Sequence, residues 1–512
     1  MEQRTWLDVN DDRFWKLLLA VGLVLHALVA FNSELGLDSH IHAAYVTLDS
    51  AGEDGLDWGH TRPLDPQASD PSYSPENGDR YAVWHLWYTT LFALMGPSVG
   101  ALKAGALVLS ALSLLAIGLM SRDLFGDSTA LRIVALVSIH PTFLFASGRA
   151  YPEELMLVAM CAFVYGLMQM HRMNAAKGLI PLLLGAWVGV SVKGLDMSIL
   201  VCALGGALLV LMLRDIITDV RKSFILGCSL AISAGVIGML LADGGTLGVA
   251  SEAPARYISA VAIAVFDVVI VYSLFGMTLW PFINSRLAEG EQDGEASVIA
   301  MLIGFSTVGI ILYVAALWTL ESLLWDADWP WVTWTLGNNA RYASMLMVPA
   351  FWLLSRLHAS AGTDNLTEIG DRSKVVLIGI LLILPISLLT ALHGQTTWTD
   401  EAANTLDSRI TNGDEFLLVS DSELGMHWLY TFHLQIDADG SRGVTGHWRS
   451  ADSNWLEEMA QNLDINNRGD ISDVEWIVLA PEVEVPETLD CSISGEAPWM
   501  NGGGTWRICS GP

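Results

Sequence analysis

The chain has 512 residues, 52% of them hydrophobic and only 16% charged, with 26 Lys and Arg against 55 Asp and Glu and a formal charge of −29. A soluble globular chain carries about 25% charged residues, so an ordinary water-soluble enzyme, a disordered chain and a disulfide scaffold are all excluded. The acidic balance also excludes a nucleic-acid partner, because phosphate recognition needs a basic face.

A stretch of roughly 18 apolar residues with few charges can cross a bilayer as a helix. Such stretches recur near 15–32, 97–121, 128–146, 153–170, 178–193, 197–213, 223–242, 257–282, 297–320, 342–357 and 375–392. The fold class expected is therefore an α-helical polytopic membrane protein of about eleven transmembrane helices, over residues 1–392, with a small C-terminal α/β domain over 393–512. Lys and Arg accumulate on the cytoplasmic side of short connections. With the N-terminus inside, fourteen of them up to residue 392 fall on inner segments and seven on outer ones. An odd number of spans then puts the C-terminal domain outside, as part of a multi-pass protein of the cell membrane. The first span, with a charged flank and small residues at Ala27 and Ala30, also resembles a secretory signal. Its retention is expected, because it runs straight into the next segment of interest.

That segment is an outer loop, 33–80, far longer than a helix connection requires, and long loops of this kind carry function or are disordered. It opens with NSELGLDSHIHAAYV, which places Glu34 and Asp38 four apart, on one face of a helix, with His40 and His42 following. A carboxylate at the membrane surface can accept a proton from an attacking hydroxyl. An isolated loop Asp is more often a cap or a solvating acid, but here a second carboxylate and two imidazoles lie within a turn or two. Two His at i and i+2 do not share a helical face, so a metal site is not expected. The loop closes on YAVWHLWYTTLFALMG at 81–96, an aromatic helix that would lie along the interface.

After the third span comes ASGRAYPEEL. Pro152 suits a helix first turn and Glu153 and Glu154 suit its positive end, but that leaves Arg149 unexplained. Arg149, Lys193, Arg256 and Arg341 each stand alone at the outer end of a different span, against the positive-inside tendency. One snorkelling cation is ordinary. Four at one depth suggest a converging pocket for a phosphate held at the bilayer surface. Asp267, inside the eighth span, is an intramembrane acid and hence a candidate proton or ion site, although no repeated half-length pattern accompanies it. WDADWPWVTW at 325–334 reads as an interfacial aromatic belt.

In the tail, helical patterns at 399–411, 422–433 and 452–463 alternate with apolar strands at 415–419 and 475–480, like a small α/β layer. Cys491 and Cys509 are its two cysteines. A disulfide between them and a pair of free thiols both fit the sequence.

The order LDSHIHAAY, RAYPEE, an outer VKG and RYASMLMVPAFWLL resembles the GT-C glycosyltransferase superfamily, and within it the protein O-mannosyltransferase and aminoarabinose-transferase branch. The resemblance covers roughly residues 1–392. It implies transfer of a sugar, such as mannose, from a polyprenyl or dolichyl monophosphate carrier to a hydroxyl acceptor on a protein, glycan or lipid, at the extracytoplasmic face and with inversion. It makes Asp38 the catalytic base and Glu34 its substitute, since Asp38 is followed by Ser39 where the branch commonly has a second acid. It assigns the carrier phosphate to Arg149, Lys193, Arg256 and Arg341 and adds Glu153 to the substrate pocket, with His40 and His42 beside it. It implies no metal or other cofactor. The competing functions are a transporter using Asp267 and a non-catalytic membrane scaffold.

Overall fold

The computed structural model describes residues 9, 11–35, 39, 82–96, 98–192, 197–241, 245–276, 287, 291–324, 329–330, 333, 339–360, 373–393, 397–420, 425–438, 440–461, 470–498 and 503–511. The chain divides into two compact units that do not follow chain order. One comprises Met1–Val29, Leu107–Gly148 and Pro152–His393, the other Ala30–Ala106, Arg149–Tyr151 and Gly394–Pro512.

The helices in chain order are α1 (Asp12–Asn32), α2 (Ala82–Met95), α3 (Val99–Phe125), α4 (Asp127–Ser138), α5 (Pro141–Gly148), α6 (Glu153–His171), α7 (Ala175–Ser191) and α8 (Met197–Met212). There follow α9 (Val220–Leu241), α10 (Gly245–Glu252), α11 (Pro254–Gly276), α12 (Gly294–Leu324), a 3-10 segment (Asn339–Leu346), α13 (Met347–Ser360) and α14 (Ser373–Leu392). Among the described residues, six of these, α1, α3, α6, α9, α11 and α12, are long and apolar enough to cross a membrane. This is the architecture of a multi-pass membrane protein. The span expected at 128–146 is instead a bent pair, α4 and α5, at 68° to one another. His140 and Pro141 interrupt it, and Pro at a helix start has no N–H to continue the preceding ladder. An apolar run records length and not direction, so the bend is invisible to it. The span expected at 342–357 is likewise divided, its polar opening NARYASML forming the 3-10 segment ahead of α13. Helices α7 and α8 and residues Val376–Leu392 are apolar but shorter.

Close packing of these helices depends on glycine. A Cβ on Gly166 would lie 2.7 Å from the carbonyl oxygen of Gly178, and one on Gly185 would lie 2.6 Å from that of Ala159. Because α6 and α7 touch backbone to backbone, no side-chain rotation could relieve either clash. The same device joins α9 and α12, where a Cβ on Gly304 would meet the carbonyl oxygen of Phe224 at 2.5 Å. Such small-residue contacts are what hold helices together in lipid, where apolar burial itself offers little advantage. By contrast α8 buries only Ala207 and leaves Leu208 and Met212 60% and 80% exposed, as a helix facing hydrocarbon would.

Several polar side chains inside the helical unit are paired. Arg172 grips Glu295 with two bonds of 2.8 Å, and Arg356 reaches Asp293 at 3.1 Å. Asp123 accepts from Tyr165 at 2.9 Å and from Gln169 and Lys177 at 2.6 Å. Trp352 donates to Ser121 at 2.8 Å, tying α13 to α3.

The C-terminal α/β domain contains α15 (Trp398–Asp407), β1 (Glu415–Ser420), α16 (Gly425–Ile436), β2 (Thr445–Ser450), α17 (Trp455–Gln461), β3 (Trp476–Leu479), β4 (Ile493–Glu496) and β5 (Thr505–Ser510). The sheet runs β2-β1-β3-β5-β4, parallel across β2, β1 and β3 and antiparallel across β3, β5 and β4. Strand β1 lies between β2 and β3, parallel to both, and Phe416, Leu417, Leu418 and Val419 are all fully buried, as a parallel strand covered on both faces requires. Each such side chain contributes about 1.5–3 kcal/mol. A capping box closes the start of α15: the Thr397 N–H donates to the Asp400 carboxylate at 2.7 Å. Cys491 and Cys509 form a disulfide. Of the strands, β1 and β3 match the apolar runs, whereas β2 carries buried His447 and Arg449 and was not legible as an apolar strand.

Candidate active site

Arg149 sits in the turn between α5 and α6, 1% exposed, and its Nη2 donates to the Ser33 hydroxyl at 3.2 Å. Ser33 lies just past α1, so the opening of the first loop and the RAYPEE turn meet here. The next residue, Ala150, has φ 59°, a left-handed conformation that an L side chain rarely adopts. Its carbonyl accepts from the Trp84 indole N–H at 3.0 Å. The indole thus fixes the turn that aims Arg149, the kind of held, unusual backbone found where geometry matters to function. Trp84 comes from α2, which buries Trp84, Tyr88 and Phe92 at i, i+4 and i+8 and exposes Leu86 and Leu94. The Trp84 and Tyr88 rings lie 4.3 Å apart. Burial pulls the Arg149 guanidinium down to about 10, with Tyr151 opposing the shift. It therefore stays cationic at neutral pH.

Glu34, the residue after Ser33, pairs with Lys103 of α3 at 3.3 Å. Beside this pair opens a cavity of about 600 Å³, lined on one side by Glu34, Val99 and Lys103 and on the other by residues of α15 and Gln435. All of these residues, with Arg149, Ser33 and Trp84, belong to the same compact unit.

Glu153, Arg341, Arg256 and Asp267 lie in the helical unit. Glu153, 1% exposed, pairs with Arg341, 8% exposed, at 3.2 Å. Arg256 donates to the Ser322 hydroxyl at 3.1 Å and stands over the Trp329 ring at 5.8 Å, so one Trp of the aromatic loop forms a cation–π contact. Asp267 is half-buried on α11. Asp38, His40, His42 and Lys193 lie outside the described residues. The structure thus brings together Glu153 with Arg341 and Arg149 with the start of the first loop. Sequence reasoning missed the roles of Ser33, Trp84 and Lys103. Lys103 was detectable as the lone cation in the first four turns of an apolar helix, but its partner was not.

The fold and these sites define a class: a polytopic helical membrane protein bearing a small α/β domain and buried cations near helix ends. No protein-family model matches the sequence, and no curated protein matches it either. Among solved structures, the chain is similar to ArnT from Cupriavidus metallidurans in the apo state, at 15% identity and TM-score 0.49, with 97% of each chain covered. It is similar also to the same protein bound to undecaprenyl phosphate, at 12% identity and TM-score 0.43, covering 97% of this chain and 98% of that one. A third is the Archaeoglobus fulgidus oligosaccharyltransferase in complex with zinc and sulfate, at 14% identity and TM-score 0.43, with 90% of this chain and 67% of that one covered. At TM-scores below 0.5 such likeness carries no functional weight.

Proposed function

We propose that this protein is a membrane glycosyltransferase of the GT-C type, moving a sugar from a polyprenyl or dolichyl phosphate carrier to a hydroxyl acceptor on the extracytoplasmic face. The observation that carries the reading is Arg149: a buried, charged guanidinium aimed by a left-handed turn and held beside the acid-bearing start of the first loop. A buried guanidinium presents a fork of donors matched to phosphate oxygens. Its field is worth most in a partly dry site, where charge develops on a leaving group.

In the reaction, the acceptor oxygen forms a bond to the anomeric carbon while the bond from that carbon to the carrier phosphate oxygen breaks. The acceptor proton passes to the Asp38 carboxylate, with Glu34 as its substitute, and the electron pair leaves on the carrier phosphate. Attack opposite the leaving group inverts the anomeric centre. Arg149 is assigned to that phosphate, with Lys193, Arg256 and Arg341 as further phosphate contacts and Glu153, His40 and His42 in the substrate pocket. Glu153 would act chiefly by holding Arg341, to which it is paired.

The test is incubation of the purified protein with a short-chain polyprenyl-phosphate sugar, comparing wild type with Asp38→Asn and Glu34→Gln. Loss of transfer in Asp38→Asn alone identifies the base; transfer that survives both substitutions removes the carboxylate mechanism. Proton-coupled uptake abolished by Asp267→Asn, with no transfer in the wild type, would establish a transporter instead.

A further inference from the structure

We propose that the cavity beside Glu34 is a subsite for an uncharged saccharide, the part of the acceptor that presents the attacking hydroxyl. This deepens the transferase reading and rests on it. A sugar ring carries hydroxyls that both donate and accept, so its site needs the two kinds of group interleaved on facing walls. Glu401, Asn404 and Thr405 lie at i, i+3 and i+4 of α15 and share one face of that helix. The Glu34 and Lys103 pair lines the cavity as well. Lys103, Asn404 and Gln435 supply donors; Glu34 and Glu401 supply acceptors, as does the Thr405 hydroxyl, whose proton goes to the Glu401 carbonyl at 2.8 Å.

Asp400 also borders the cavity, but its oxygens are engaged: it accepts from the Thr397 N–H at 2.7 Å and from the Gln435 amide at 3.1 Å. It positions Gln435 rather than touching the ligand. Val99 is the one aliphatic residue of the lining, so the site offers little to a lipid tail. At about 600 Å³ the volume falls within the roughly 300–1,000 Å³ of small-ligand sites. Three carboxylates against one ammonium make the walls net negative, which disfavours uronic acids and phosphorylated sugars. The position also fits: Glu34 is the chain neighbour of Ser33, the hydroxyl bonded to Arg149. The cavity wall and the guanidinium assigned to the leaving phosphate are thus linked through two consecutive residues, Glu34 and Ser33.

The experiment uses the full-length protein in nanodiscs and saturation-transfer NMR with three probes: a neutral methyl hexopyranoside, the corresponding methyl hexuronoside and a serine-containing hexapeptide. Asn404 and Glu401 are both exposed, so substitutions there leave the domain folded. The neutral glycoside is expected to bind at least tenfold more tightly than the uronoside. Asn404→Trp, which fills the cavity, should weaken it at least tenfold, and Glu401→Lys should narrow the gap between the two sugars. Absence of neutral-glycoside binding in the wild type, binding unchanged in Asn404→Trp, or displacement by the hexapeptide would each overturn the subsite. Carrier-phosphate release from a polyprenyl-phosphate sugar, followed in the same preparation, separates the two claims. Release without glycoside binding removes the subsite and leaves the transferase; binding sensitive to Asn404→Trp without release does the reverse.

Discussion

Two buried arginines illustrate how differently a guanidinium can be used in this chain. Arg449 in β2 is fully satisfied, donating from Nε at 3.0 Å and from Nη2 at 2.6 Å to Glu458, and from Nη1 to the Trp448 carbonyl at 2.9 Å. Removing one partner of such a pair leaves an uncompensated charge in the interior. Glu458→Ala is therefore expected to destabilise the α/β domain by about 3–5 kcal/mol, measured by denaturant unfolding of the purified protein. Arg149 instead sits in a turn held by the Trp84 indole and donates to the hydroxyl of Ser33, the chain neighbour of Glu34. Arg149→Lys keeps a positive charge but loses the planar fork, and is expected to lower the rate of sugar transfer about a hundredfold or more without lowering the melting temperature by more than a few degrees. A large fall in thermal stability with unaltered turnover per folded molecule would make Arg149 structural.

His433 supplies a pH dependence. Its Nε2 is 2.7 Å from the Val444 carbonyl oxygen, and burial holds the imidazole below its ordinary value of 6.5 despite that bond and the nearby Asp437. The folded domain thus favours the neutral ring. Its contribution is fully present above pH 6.5 and is lost as pH falls through 6.5 toward the folded value, at up to about 1.4 kcal/mol per pH unit. Asp400, whose carboxyl burial pushes up, works in the opposite sense nearer the ordinary carboxylate range. With the intrinsic slowing of exchange at lower pH divided out, the protection of the β1 and β3 amides should fall between pH 6.5 and 5.5, and His433→Gln should flatten that slope.

At the scale of elements, the glycines of α6 and α7 decide how near two helices come. Gly185→Val would drive a branched side chain into the backbone of Ala159 and Phe163 and is expected to cost about 1–3 kcal/mol or more. The readout is a lower detergent-unfolding midpoint together with altered cross-linking between the two helices. In the tail, the Cys491–Cys509 bridge closes a loop of 18 residues, and its removal by Cys491→Ser should cost about 2–4 kcal/mol, seen as a lower melting temperature that reducing agent reproduces in the wild type. The sequence carried the helices well where apolar periodicity ran unbroken, as in α3 and α12. It failed at His140 and Pro141, where the apolar content continues but the helix axis turns. It failed again at β2, because an ion pair with α17 makes a buried position look polar.

For the whole molecule, the distribution of Lys and Arg predicts that the first loop and the C-terminal domain share the extracytoplasmic side. An Asp38→Cys variant should react with a maleimide that cannot cross the bilayer when it is added to intact cells; protection there, with labelling only after lysis, would invert the topology. The described residues at the start of the first loop, the Arg149 turn and the tail form one compact unit. The polypeptide leaves that unit and returns to it, so residues far apart in sequence line one cavity.

Membrane character, the α/β tail and the four unexpected cations near helix ends could all be read without coordinates, because each rests on the pattern of neighbouring residues. Which partner each charge takes could not. Glu153 with Arg341, Glu34 with Lys103 and Arg149 with Ser33 are separated along the chain by 188, 69 and 116 positions. A Coulomb or hydrogen-bond energy depends on distance through space, and the sequence alone does not supply that distance. Only the packing of the helices and the return of the chain to the tail unit decided those pairs.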